Sequence, residues 1–324
     1  MDVKDRKLLY LLDLNSRMKE SDIAKQLGTS KQVVNYRIKR LGSEGIIKKF
    51  QSVLNLESLG VNIYANVYFK IVGADKKKEE EIVDYLVKSE SVGYVALLGG
   101  RFDISIVLVS RDIQELEESL NKIVNEFPNE LKEHSIALRT IGLKFQKKYL
   151  FQQKSEENKS ILTKEKHLIK IDDLDVKILR ELSKNSRESI VTISEKVKEP
   201  FSTIRTRIRN LEQRKVIAGY SILFDLSKIG ILNYKVLIKT KDKSEDFYRR
   251  IISFSKSHKN ITWFFKTLGE HDFELRVEVE NQERYQEILK EIRSEFASSV
   301  DEIETIIVFH EAKEDYSIVL SRKE

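Results

Sequence analysis

Asn15-Ser16-Arg17 and Arg37-Ile38-Lys39-Arg40-Leu41 decide how this chain is read, because both return 170 residues later. The first returns as Asn185-Ser186-Arg187, the second as Arg207-Ile208-Arg209-Asn210-Leu211. Leu56 and Gly60 likewise return as Leu226 and Gly230. Residues 2–64 align with 172–234 without a gap and share 16 identities, where average composition would give roughly four by chance. The period is too long for a solenoid. It fits a two-part module written twice.

Each copy opens on Asp-x-x-Asp, Asp2/Asp5 and Asp172/Asp175. The first aspartate can cap a helix and the second places negative charge in its first turn. Leu8, Leu9 and Leu12 follow at helical spacing, matched by Ile178, Leu179 and Leu182. A second short helix carries Ile23, Ala24 and Leu27, and Gly28-Thr29-Ser30 reads as a turn ending in an N-cap serine. The third helix buries Val34, Ile38 and Leu41 and shows Lys31, Gln32, Asn35, Tyr36 and Lys39 on its other side. A β-hairpin wing is expected over residues 46–54. Two short helices joined by a tight turn, the second with a polar and basic face, make a helix-turn-helix. From the major groove, amide side chains can pair with adenine and Lys or Arg with guanine. The alternative is a three-helix packing unit with a solvated basic face.

After Gly60 the pattern changes to strand, helix, strand, strand, helix, strand, at about 63–71, 78–88, 92–98, 102–109, 112–127 and 135–149. The second copy repeats it at about 233–241, 244–257, 261–268, 272–279, 281–296 and 302–311. This βαββαβ order is the ferredoxin-like arrangement. The predicted class is α+β: two copies of a winged helix-turn-helix followed by a ferredoxin-like sheet domain. The boundaries fall at 1–55, 56–151, a polar linker 152–168, 169–225 and 226–324.

Composition bounds the function. The chain has 324 residues, 40% of them hydrophobic and 34% charged, with a net charge of +6. That excess is mild, so basic surface has to be found locally. There is no cysteine and there are five scattered His, a poor basis for a metal site. No metal and no cofactor is expected. Neither a signal peptide nor an apolar run near the roughly 18 residues of a membrane helix is visible, so a cytoplasmic chain without a membrane partner is expected. No nucleophile–base pair, paired carboxylates or phosphate-binding glycine loop stands in a catalytic setting, which argues against an enzyme.

The motifs together resemble the Lrp/AsnC family, the feast/famine transcription regulators. The resemblance rests on the Asn-Ser-Arg after the first helix, the Arg-Ile-x-x-Leu of the recognition helix, Ile46-Ile47 and Val216-Ile217, the Leu-x-x-x-Gly entering the sheet domain, and the turns Gly100-Arg101-Phe102-Asp103 and Gly269-Glu270-His271-Asp272. It implies a regulator that binds double-stranded DNA, self-associates through its sheet domains, and senses small molecules, often amino acids, in clefts between them. This chain departs from the pattern by being duplicated, which suggests a covalent pseudo-dimer. Its second helix-turn-helix has also drifted: Gly28 becomes Lys198, Ser30 becomes Pro200 and Gly45 becomes Lys215.

The candidate DNA-contacting residues are Lys31, Gln32, Asn35, Tyr36 and Lys39 in the first copy and Ser202, Thr203, Arg205, Thr206 and Arg209 in the second. Arg37 and Arg207 sit beside the buried ridge and read as structural or phosphate contacts more than base readers. The candidate effector residues are Gly99, Gly100, Arg101, Asp103, Gly269 and Asp272. Arg101 could take an amino acid's carboxylate and Asp103 its ammonium, which would give one site, at the first copy's turn. The glycine pair reads most simply as a tight hairpin turn, and the aspartates are also readable as turn closures. A metabolite-binding protein without specific DNA binding and a sequence-independent architectural DNA-binding protein remain as rivals.

Overall fold

A computed structural model describes residues 1–151 and 168–321. The expected linker, apart from residue 168, lies outside the described residues. The first half runs α1 (Val3–Leu14), α2 (Glu20–Leu27), α3 (Lys31–Ser43), β1 (Ile47–Leu54), β2 (Ile63–Lys70), α4 (Lys76–Lys88), β3 (Val92–Gly99), β4 (Ile104–Ser110), α5 (Ile113–Glu126) and β5 (Glu133–Lys144). The second runs α6 (Asp173–Lys184), α7 (Ile190–Val197), α8 (Phe201–Gln213), β6 (Ile217–Phe224), β7 (Leu232–Thr240), α9 (Glu245–Ser257), β8 (Ile261–Gly269), β9 (Phe273–Val279), α10 (Gln282–Glu295) and β10 (Val300–Glu314). The chain divides into two compact units, each drawing on both halves: Met1–Leu59 with Gln146–Gly230, and Gly60–Phe145 with Ile231–Glu324.

In the helical unit, local sequence sets each boundary. Asp2 and Asp5 close a capping box on α1: the Asp5 amide donates to Asp2 at 2.7 Å and the Asp2 amide to Asp5 at 3.2 Å. Asp172 and Asp175 do the same for α6. α2 stops at Gly28, whose φ of 58° is left-handed, and α3 starts at Ser30, whose hydroxyl accepts from the Val33 amide at 3.3 Å. In the second half the left-handed positions are held by Lys198 (φ 61°) and Lys215 (φ 60°), and Pro200 offers no side-chain cap. A side chain in that region costs about 1–2 kcal/mol, partly offset by the roughly 0.5–1 kcal/mol of chain entropy that glycine loses. Lys198→Gly with Lys215→Gly is therefore expected to raise the melting midpoint by a few degrees. A lowered midpoint in differential scanning calorimetry would contradict the strain argument.

The expected hairpin wing is corrected. β1 does not turn back on itself; it pairs antiparallel with β6, from Ile47 opposite Phe224 to Leu54 opposite Ile217. The reason lies in the residues. Stretch 46–54 holds no Gly, Asn, Asp or Pro, so it lacks the chemistry of a tight hairpin turn. The exposed strand edge is satisfied by the other copy's strand instead.

In the sheet unit, the strands of the two halves close one eight-stranded barrel in the order β10-β3-β4-β2-β5-β8-β9-β7. Each half keeps the ferredoxin-like order, and its edges are paired to the other half through β5–β8 and β10–β3. Helices cover the outside over two apolar layers. One contains Val67, Phe69, Ile82, Leu86 and Ile106; the other contains Val236, Phe247, Phe264, Leu275 and Ile288. β4 and β9 are consequently buried at every position, as strands covered on both faces must be. β5 ends at Lys144, short of the expected 149, and β10 runs beyond its expected 302–311.

Candidate nucleic-acid interface

The helical unit holds both third helices. On α3, Val34 and Leu41 are buried while Lys31, Gln32, Tyr36 and Lys39 are exposed. Ile38 and Asn35 are half-buried, and the Asn35 amide reaches Glu20 on α2 at 3.5 Å. On α8, Ile204, Ile208 and Leu211 are buried; Ser202, Arg205, Thr206 and Arg209 are exposed and Thr203 is half-buried. Eight of the ten named residues are thus exposed on the outer sides of their helices, while Asn35 and Thr203 are half-buried.

Arg37 belongs to the scaffold. It donates to Asp5 at 2.6 Å and Asp2 at 2.8 Å, while Arg40 reaches the other Asp5 oxygen at 2.6 Å. Asp5 is 1% exposed. Its carboxylate ties α1 to α3 and orients the recognition helix. Hydrogen bonding from the Asp5 amide, reinforced by Arg37, holds the Asp2 carboxyl below its ordinary range. Arg207 repeats the pattern more loosely, at 2.8 Å from Asp172 and 3.3 Å from Asp175. The position matching Arg40 is Asn210, so Asp175 has one arginine where Asp5 has two.

The Asn-Ser-Arg motifs have a role the sequence did not reveal: they meet. The Ser16 and Ser186 hydroxyls are 2.6 Å apart and buried. Arg17 donates to the Ser186 and Glu188 carbonyls, and Arg187 to those of Ser16 and Met18, the last at 3.2 Å. Each guanidinium also lies over an aromatic ring of the opposite strand, Arg17 over Tyr220 and Arg187 over Phe50. The motif is a reciprocal clasp between the helix-turn-helices. Beside it opens a cleft of about 410 Å³ lined by Arg17, Lys19, Lys31 and Arg187, with Glu20 and Glu188. Only the equality of the two tripeptides hinted at this.

In the sheet unit, the two glycine turns are structural on both sides. A Cβ on Gly99 would fall 2.6 Å from the Phe309 ring, and one on Gly269 2.5 Å from the Ile136 carbonyl. Gly100, at φ 123°, makes the turn itself. Asp103 accepts from the Ile71 amide at 2.8 Å and Lys70 at 3.2 Å; Asp272 accepts from the Thr240 amide at 2.8 Å and pairs with Lys243. Both aspartates tie their turns to the end of a neighbouring strand, Asp103 to β2 and Asp272 to β7. Arg101 does not stand free for a ligand carboxylate, as the sequence reading assumed. It pairs with Glu270 of the other turn and lies 3.6 Å from Glu304, while Ser135 donates to Glu270 at 2.7 Å. The Ser135 hydrogen bond and Arg101 pull the Glu270 carboxyl below its ordinary value. The two turns therefore neutralise each other. Among the described residues no cluster of three or more His, Asp and Glu has metal-site geometry, and no helix is long and apolar enough to cross a membrane.

A helix-turn-helix unit joined to a ferredoxin-like sheet unit is the arrangement of this chain, and comparison with known proteins finds DNA-binding regulators that match it in sequence. Residues 1–48 match a winged helix-turn-helix DNA-binding model, residues 171–212 an AsnC-type helix-turn-helix domain and residues 235–318 an Lrp/AsnC ligand binding domain. The uncharacterized HTH-type transcriptional regulator PH0140 of Pyrococcus horikoshii is 33% identical over 117 residues, 36% of this chain and 72% of the relative. The DNA-binding transcriptional activator DecR of Escherichia coli is 30% identical over 123 residues, 38% of this chain and 81% of its own length. The chain belongs to the Lrp/AsnC family. A crystal structure of the siroheme decarboxylase NirDL shares the fold over 96% of this chain and 93% of its own, with a TM-score of 0.62 at 14% identity. That likeness is one of fold alone.

Proposed function

We propose that the chain is a sequence-specific transcription regulator made of two fused family modules, acting as a covalent pseudo-dimer on double-stranded DNA. The reading is carried by the two third helices. Each packs its apolar ridge inward, has an inner arginine neutralised by aspartates at the start of the first helix of its set, and keeps a polar, basic outer face. The Ser16–Ser186 clasp and the β1–β6 ladder support two helix-turn-helices working as a pair. Because their outer residues differ, the favoured operator is an imperfect inverted repeat. Gln32 is the base reader of choice in the first half, since it is exposed and carries the amide that suits adenine.

Gln32→Ala is expected to weaken binding by about 1–3 kcal/mol at the matching half-site and to relax preference there. Fluorescence anisotropy across a panel of half-site variants reads this directly. Uniform weakening on every sequence would assign Gln32 to the backbone. For effector control, Arg101 is the group with carboxylate chemistry, and a small carboxylate such as an amino acid would have to displace Glu270 from it. That exchange joins or separates the two turns, and so links ligand to barrel.

A further inference from the structure

The charge inside the barrel sits mainly on the second half's sheet, with Arg139 of β5 the first half's contribution. On the second half's sheet, Lys235, Glu274 and Glu278 are fully buried and Arg276 nearly so. The first half's matching ladder positions are neutral: Asn66 opposite Val107 and Tyr68 opposite Ser105, where the second half has Lys235 opposite Arg276 and Leu237 opposite Glu274. The two surfaces interlock. Lys235 lies 3.2 Å from Glu274 on its own sheet. The other Glu274 oxygen accepts across the barrel from the Tyr68 hydroxyl at 2.7 Å and from the Asn66 amide. The Tyr94 hydroxyl donates to Glu311 at 2.8 Å, and Glu311 also holds Arg276 at 3.1 Å.

We propose that this interior is a pairing code: the first sheet's neutral donors accept only the second sheet's charged face, so each half selects the unlike half and rejects its own kind. The inference rests on the pseudo-dimer reading. Two second-half sheets facing each other would bury two Glu274 carboxylates with neither the tyrosine nor the asparagine to donate to them. Two first-half sheets would bury Asn66 and Tyr68 without the carboxylate they serve. At zero exposure no solvent makes up the loss, and an unmet buried polar group is costly. Buried polar contacts are best attested in this role of fixing register and partner. The apolar layers outside the barrel cannot discriminate in this way, because both halves supply the same kind of surface.

The test begins with the full chain carrying a protease site inserted between residues 152 and 168. It is cleaved, unfolded, refolded, and weighed by native mass spectrometry. Free choice gives like, unlike and like pairs in a 1:2:1 ratio; the code predicts an unlike-to-like ratio at least tenfold above the statistical 1:1. Lys235→Asn with Glu274→Ser and Arg276→Val, which copies the first half's residues, should bring the ratio back towards the statistical one. Tyr68→Phe removes a single hydroxyl and should lower the preference several-fold, deciding the matter if the triple variant does not refold. A statistical ratio in the unmodified protein, or a preference unmoved by Tyr68→Phe and by the triple variant if it refolds, overturns the code while leaving the pseudo-dimer intact. Halves that refold but do not pair at all overturn both.

Discussion

Glu274→Leu is expected to destabilise the sheet unit by about 3–5 kcal/mol, while Lys235→Met combined with Glu274→Leu costs less, the unmet Tyr68 hydroxyl and Asn66 amide remaining in both. Removing one partner leaves a buried, uncompensated charge, whereas replacing both with apolar groups of similar size is often neutral or stabilising. Burial disfavours both charges. It pushes Lys235 down to about 8, still protonated at neutral pH. Burial alone would raise Glu274, yet the charges of Lys235 and Arg139 outweigh it and hold the carboxyl at about 2. The single tryptophan makes the measurement clean: Trp263 lies on β8, stacked on Phe265 at 5.4 Å, so its fluorescence reports on the barrel. The acid dependence has a definite sign. Glu274 binds its proton more weakly in the folded chain than at its ordinary value of 4.5, so its stabilisation is complete above that pH and drains away as pH falls towards 2. The unmodified protein should therefore lose stability over this window more steeply than Glu274→Leu. Equal costs for the single and double variants would refute the ion-pair account.

Asp5→Ala is expected to be the most damaging change in the helical unit, at about 3 kcal/mol or more. The buried carboxylate serves Arg37, Arg40 and the α1 capping box together. Losing it takes a partner from both guanidiniums, leaves Arg37 with Asp2, and loosens α3 from α1, so affinity at the first half-site should fall more than tenfold along with stability. Asp175→Ala is the internal control. Among the described residues its only arginine, Arg207, is 3.3 Å away and 36% exposed, so the cost should be visibly smaller. Paired thermal melts and half-site binding curves check this; a larger loss in the second half would show that the two clasps had been ranked wrongly.

The contrast between what was legible and what was hidden has a physical basis. Helix starts were legible because caps are local: Asp2, Ser30 and Asp172 act on amides three residues away. The order of strands and helices was legible because periodicity is local as well. Pairing across 170 residues was not. The stretch Phe273-Glu274-Leu275-Arg276-Val277-Glu278-Val279 alternates like a strand with one wet face, yet that face lines a closed barrel and is buried throughout. β1 reads as half of a wing because nothing within it names β6 as its partner. At the candidate DNA site, exposure followed from the helical pattern, so the outer residues were found. Asn35 faces partly inward because of Glu20, fifteen positions away on another helix. Arg101 looked available because its neutraliser, Glu270, sits 169 residues along the chain.

Selection of bound sites from random double-stranded DNA by the full chain tests the central claim most directly. The account predicts enrichment of one imperfect inverted repeat, its half-sites unequal because α3 and α8 present different outer residues. It also predicts that Gln32→Ala blurs one half-site and leaves the other sharp. Recovery of no preferred sequence, with affinity set by salt concentration alone as counterion release dictates for backbone-only binding, would contradict it.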